Sequence, residues 1–146
     1  TVNKEYDAPC SPRPQQQQKD DRDFASFLVD SGIGLLVRAN FNDESGMMMD
    51  SYPSCTFEAF GIQQTDIQVV DKRGGLPKPE DVGQMLDHCQ GLMECEDECA
   101  VMVHCKGGFG RSVLLGCCAI MNAYDVPGSA LLGWVRVCRP GAVTCP

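Results

Sequence analysis

Within the run Cys105-Lys106-Gly107-Gly108-Phe109-Gly110-Arg111-Ser112 the chain sets a thiol, three glycines, a guanidinium and a hydroxyl. A cysteine attacks only as its thiolate. The features that stabilise a thiolate also hold a phosphate: unpaired backbone N–H groups, a helix N-terminus and a nearby positive side chain. Arg111 supplies a planar fork able to grip two phosphate oxygens at once. Gly107, Gly108 and Gly110 are expected to allow positive φ and to clear side chains from the path of the phosphate oxygens. Lys106 adds a point charge at the rim and Phe109 an apolar face. The chemistry described is attack of the Cys105 sulfur on a phosphate monoester, with Lys106, Gly107, Gly108, Phe109, Gly110 and Arg111 as the cradle. Cys-x5-Arg alone is weak in a chain with 10 cysteines. The bland alternative, a structural cysteine beside a Gly-rich turn, leaves Arg111 and the glycines unexplained.

Such a loop needs a strand to deliver the cysteine and a helix to end on. The apolar run from Ala100 to Val103, followed by His104, reads as the strand. Val113 to Tyr124 is apolar and long enough for three helical turns. A phosphate leaving from a side-chain oxygen also needs a proton, so a carboxyl group at the end of a neighbouring strand is required. The apolar residues Ile67 to Val70 predict that strand, and Asp71 at its end is the candidate general acid. Asp66, at the other end, is its rival.

The remaining elements frame this centre. Residues 1–20, with Pro9, Pro12, Pro14 and the glutamines Gln15 to Gln18, predict a polar lead-in, and 21–146 one domain. Asp20 to Ser31 predicts a helix with Phe24, Phe27 and Leu28 on one face and Gly32 ending it. Ile33 to Val37 predicts a strand, Asn40 to Ser54 a long loop, and Thr56 to Phe60 a short helix ended by Gly61. Pro79 suits a helix start. Val82, Met85, Leu86, Cys89, Leu92 and Met93 then follow amphipathic spacing. Glu94 to Glu98 reads as an acidic surface turn. Pro127-Gly128 breaks the central helix, and Ser129 is expected to cap another that holds Leu131, Leu132, Val135 and Cys138. Strands alternating with helices imply a three-layer α/β/α domain with a parallel or mixed sheet, its active loop at the carboxyl end of a central strand.

The 146 residues are 43% hydrophobic and carry a net charge of −8. An acidic balance argues against a nucleic-acid partner, and no run approaches the roughly 20 apolar residues of a membrane-spanning helix. Cys117, Cys118 and Cys138 sit in apolar helical segments, where cysteine acts as a small hydrophobe. Cys89, Cys95 and Cys99 with His88 are irregularly spaced, so no metal and no other cofactor is expected. A thiolate nucleophile suits a reducing compartment, hence an intracellular place, cytoplasmic or nuclear.

His104-Cys105-x5-Arg111-Ser112 resembles the protein tyrosine phosphatase signature. Trp134-Val135-Arg136-Val137-Cys138-Arg139-Pro140-Gly141 is similar to a stretch of the dual-specificity phosphatases of the cell-division-cycle-fourteen type. Cys118, Ile120, Met121 and Tyr124 match their central helix; Val37-Arg38, Asn40, Tyr52 and Phe57 match earlier landmarks, across a longer loop. Small atypical dual-specificity phosphatases share the Gly-Phe-Gly-Arg portion. The resemblance implies a protein tyrosine phosphatase-like fold and a phosphocysteine intermediate on Cys105. It implies that Arg111 holds the phosphate, that Asp71 is the acid, and that Ser112 bonds the sulfur. His104 would structure the loop. It further implies a phosphoprotein substrate, with phosphoserine followed by proline as one refinement. Phe109 stands where lipid phosphatases of the superfamily tend to carry a second loop lysine, which points away from phosphoinositides.

Three departures from the pattern are Val113 in place of a common glycine, Lys72-Arg73 after Asp71, and an end at Pro146, where a water-positioning glutamine would follow. The last, with no amino-terminal companion domain present, implies a fragment or a reduced relative. These departures keep a second function open, a phosphate-binding module with little turnover. A zinc or redox protein built on the cysteines is the third. Oligomeric state is not legible in the residues.

Overall fold

The run Ile-Gly-Leu-Leu-Val-Arg forms the central strand of a parallel sheet. A computed structural model of the protein describes residues 15–47, 51–53, 55–72, 75–94 and 99–143. Its elements are α1 (Gln15–Asp30), β1 (Ile33–Arg38), β2 (Gln63–Asp66), α2 (Pro79–Met93), β3 (Ala100–His104), α3 (Arg111–Tyr124) and α4 (Gly128–Cys138). The strand order is β2-β1-β3, and both pairings are parallel.

Alternation along β1 divides its side chains between two faces. Leu36 faces α1, with Ala25, Leu28, Phe57 and Ile62 around it and Met102 of β3 alongside. Leu35 and Val37 face the other way, into a cluster with Met85, Cys89 and Leu92 of α2 and Leu115 of α3. Helices therefore cover both faces of the sheet, giving the three layers expected. On α3, Val113, Cys117, Ile120 and Met121 pack against Leu131 and Val135 of α4. That contact gives Val113 a place to pack where a glycine is common. No described helix is long and apolar enough to cross a membrane.

Several local expectations need correction. The first helix begins at Gln15, inside the stretch read as lead-in. Glutamine is a good helix former, and Gln16 Nε2 donates to Asp20 Oδ1 one turn on, at 2.9 Å. Its buried residues are Ala25 and Leu28. Phe24 is partly exposed, edge-on to Phe57, and Phe27 is exposed. The second strand lies at Gln63–Asp66, ahead of the apolar run that predicted it. Ile67 and Val69 are buried and donate to the carbonyls of Arg38 and Ala39, so the chain runs on beside the end of β1, where the ladder stops.

Met93 is exposed at the end of α2. Helix α4 starts at Gly128 after Pro127, with no side-chain cap from Ser129. Gly32 follows α1 with positive φ, and Gly61 does the same after a 3₁₀ turn at Glu58–Phe60, shorter than the Thr56–Phe60 helix expected. Met48, Met49 and the acidic run Glu96 to Glu98 lie outside the described residues.

Candidate active site

β3 ends at His104, and α3 begins at Arg111, so the Gly-rich run is the whole connection between them. Cys105 is half-buried at its start. Its Sγ accepts a hydrogen bond from the Gly108 N–H at 3.1 Å and lies 3.3 Å from Ser112 Oγ. Burial pushes this thiol's pKa up. The Ser112 hydroxyl and N–H, the Gly108 N–H and the Arg111 charge push it down, and their sum wins: the pKa lies below that of an ordinary cysteine. Ser112 occupies the first turn of α3, where backbone N–H groups have no partner within the helix, so one of them serves the sulfur. The same residue type on α3 behaves oppositely. Burial raises the pKa of Cys117 and of Cys118, and no described anion-stabilising group is set against either.

The loop glycines do not all serve one purpose. Only Gly108 among them has positive φ, at 69°. A Cβ there would also stand 2.7 Å from the Arg139 guanidinium. Gly107 and Gly110 have negative φ and open space around the Cβ position, so their expected positive φ is not found.

Arg111 is 7% exposed, and its guanidinium is surrounded by acceptors. Nη1 donates to Glu44 Oε1 and to the Val69 carbonyl at 3.1 Å; Nη2 donates to Glu44 Oε2 at 2.9 Å and pairs with Asp71 Oδ2 at 3.3 Å. Hydrogen bonding to Arg111 holds the Glu44 carboxyl below the ordinary glutamate range, against the opposing cost of burial. Glu44 comes from the long loop after β1 and is absent from the sequence-level site. A buried arginine requires a counter-charge, so an acidic residue in that irregular loop was the available signal.

The two aspartates separate. Asp66 is engaged side-on by two nitrogens of Arg38, Nε to Oδ1 at 2.9 Å and Nη2 to Oδ2 at 2.6 Å. Asp71 is 66% exposed and meets Arg111 through one longer contact, so it is the carboxylate that can move. Lys106 does not point into the cradle. Its Nζ donates to the Ser45 carbonyl at 2.5 Å, tying the loop that carries Glu44. Phe109 is half exposed and lies under Arg139, whose Cζ is 4.9 Å from the ring centroid. Arg139, at the end of α4, is thus a second guanidinium beside the loop, absent from the site read in the sequence. A cleft of about 480 Å³ reaches Cys105 from the side of Val113, Gly116 and Arg139; Arg111 does not line it. His104, at the end of β3, is hydrogen-bonded through Nε2 to the Tyr52 hydroxyl. His88, once a metal candidate, is hydrogen-bonded through Nδ1 to Thr65 Oγ1 at 2.6 Å. Cys95 lies outside the described residues.

No family model matches the chain. Among curated proteins, "Dual specificity protein phosphatase CDC14C" of Homo sapiens is 36% identical over 95 residues, 65% of this chain and 20% of that protein. The CDC14C of Symphalangus syndactylus is 36% identical over 123 residues, 84% of this chain and 22% of its own length. The chain therefore spans about a fifth of these relatives. Among solved structures, Tk-PTP in its active form superposes with a TM-score of 0.64 at 22% identity, covering 84% of this chain and 76% of that one. The fold is that of the protein tyrosine phosphatases, and the chain belongs to their cysteine-based superfamily. Within it, the sequence likeness is to the CDC14 dual-specificity type.

Proposed function

We propose that this chain is the catalytic domain of a phosphoprotein phosphatase that works through a phosphocysteine. One observation carries the reading: the Cys105 sulfur sits at the N-terminus of α3, within hydrogen-bond reach of Ser112 Oγ and the Gly108 N–H, in a loop that ends on a buried arginine. In the first step the Cys105 thiolate attacks phosphorus. The S–P bond forms as the bond from phosphorus to the substrate oxygen breaks, and Asp71 gives its proton to that oxygen. Arg111 and the loop N–H groups hold the oxygens that stay on phosphorus. In the second step water attacks phosphorus and Asp71 takes its proton. The S–P bond breaks, and Ser112 stabilises the returning thiolate.

An arriving phosphate competes with Glu44 and Asp71 for the Arg111 hydrogens. The exposed, singly bonded Asp71 yields, which brings its carboxyl group towards the incoming ester oxygen. The relatives are named as dual-specificity or tyrosine phosphatases. This supports phosphoserine, phosphothreonine and phosphotyrosine in proteins as the substrate class. The net charge of −8 argues against nucleic acid.

A second reading is a phosphate-binding module without turnover. The full engagement of the Arg111 Nη groups by protein carboxylates and a carbonyl favours it. Hydrolysis of p-nitrophenyl phosphate from acidic to neutral pH separates the two. Sustained turnover abolished by Cys105→Ser is expected. Tight tungstate binding with no released phosphate would instead establish the module.

A further inference from the structure

Three residues of different strands share one rung of the sheet. In the β1–β2 pairing Arg38 stands opposite Asp66, and in the β1–β3 pairing it stands opposite His104. This rung is the last before the Cys105 loop. Arg38 is 2% exposed, which is costly for a guanidinium unless every group around it is matched. Asp66 supplies the bidentate counter-charge. The third nitrogen, Nη1, leaves the rung altogether: it donates to the Tyr52 carbonyl at 2.5 Å, while Cζ lies 4.9 Å from the centroid of the Tyr52 ring. Arg38 thus grips one tyrosine at both its backbone and its ring. Tyr52 belongs to a segment with no regular structure, so its position depends on such contacts, together with Phe57 packed edge-on at 4.8 Å.

Tyr52 in turn touches the residue beside the nucleophile. Its hydroxyl is hydrogen-bonded to His104 Nε2. His104 is also hydrogen-bonded to the backbone of Cys105, an interaction that favours the protonated ring. Burial, together with the Arg38 charge, nevertheless pushes the His104 pKa down. The Tyr52 hydroxyl and His104 Nε2 share one hydrogen in either ring tautomer. The chain of contacts runs Asp66, Arg38, Tyr52, His104, Cys105.

We propose that Arg38, braced by Asp66, is a positioning residue for the reaction: through Tyr52 and His104 it orients the Cys105 peptide so that the sulfur meets the N–H groups of its loop. This rests on the reading of Cys105 as the nucleophile. The groups facing the sulfur directly are Ser112, the Gly108 N–H and Arg111; those facing His104 are Tyr52, Arg38 and Asp66.

The test is alkylation of the full chain by iodoacetamide over a pH series, read by mass spectrometry on the peptide that carries Cys105, with thermal melting alongside. Tyr52→Phe keeps the ring and deletes the hydroxyl, and Asp66→Asn keeps the shape and deletes the charge. Both therefore avoid emptying the Arg38 site, which Arg38→Met would do at the risk of unfolding. Wild-type Cys105 is expected to react with a midpoint below the ordinary thiol range. Each variant is expected to raise that midpoint enough to lower the thiolate fraction roughly three- to tenfold at a pH below it, tenfold corresponding to one pKa unit. Folded variants that melt earlier yet keep the wild-type profile would overturn the proposal, making Arg38 a core residue only. A wild-type midpoint in the ordinary thiol range would overturn the nucleophile reading itself, and the positioning role with it.

Discussion

Cys105 and Cys118 lie on the same loop-and-helix unit, both partly buried, and their thiols are pushed in opposite directions. Burial acts on both and disfavours the charged form. What differs is the set of donors. Cys105 precedes α3 and collects the Ser112 hydroxyl, two backbone N–H groups and the Arg111 charge. Cys118 sits within α3, where every nearby N–H is already spent on the helix ladder, and packs against the core shared by Leu115 and Leu35. Reactivity in this chain is therefore a property of backbone position. Cys105 has its thiol pKa lowered because it stands where a helix begins.

Substitutions sharpen this contrast in descending order of effect. Asp71→Asn keeps the shape and removes the transferable proton, so kcat on p-nitrophenyl phosphate should fall by roughly 10²- to 10⁴-fold. Iodoacetamide labelling of Cys105 should persist in that variant. Glu44→Gln breaks a pair in which Arg111 and Glu44 are 7% and 9% exposed. About 3–5 kcal/mol of stability should be lost at neutral pH, measured by denaturant unfolding. The sign of its pH dependence follows from the lowered Glu44 pKa. The pair stabilises fully above the unfolded glutamate value of about 4.3. It loses that stabilisation as pH falls through the folded value, so wild type and variant should converge in acid.

Ser112→Ala removes one hydrogen bond to the thiolate, about 1.5–3 kcal/mol for a bond to a charged group. The Cys105 alkylation midpoint should rise and turnover should slow, with little change in melting. Smallest is Cys118→Ala, which should cost on the order of 1 kcal/mol of stability and leave turnover near wild type. A large loss of activity there would break the comparison, because it would give the helix cysteine a part in the chemistry.

Much of the centre was legible in the residues because it is local. The strand into Cys105, the glycines and the helix from Arg111 fall within one run, and each signals its own conformation. Helices α2 and α4 followed from apolar spacing and flanking prolines and glycines. The misses have physical causes. Glu44 meets Arg111 across 67 positions, from a loop without periodicity, so no local pattern joins them. Arg139 reaches Gly108 and Phe109 only because α4 folds back on α3. The apolar run Ile67 to Val70 has the alternating burial of a strand, with Ile67 and Val69 inside, but its neighbour β1 ends at Arg38, opposite Asp66, so the ladder stops just before the run. The early start of α1 reflects glutamine's tolerance of helix, which the adjacent prolines obscured. Asp71 reads as the acid from its strand end and from the resemblance, with Asp66 as rival, and what position alone does not show is that Arg38 holds Asp66.

The central claim is that the Cys105 sulfur becomes covalently bonded to phosphorus. The most direct measurement mixes the Asp71→Ala protein with p-nitrophenyl phosphate, quenches it rapidly in acid, and maps the phosphoryl group by mass spectrometry. A phosphoryl group on the peptide carrying Cys105, formed together with nitrophenol and absent in Cys105→Ser, is the predicted result. Nitrophenol release in which Cys105 never carries phosphate, or in which Cys105→Ser releases it equally well, would contradict the account.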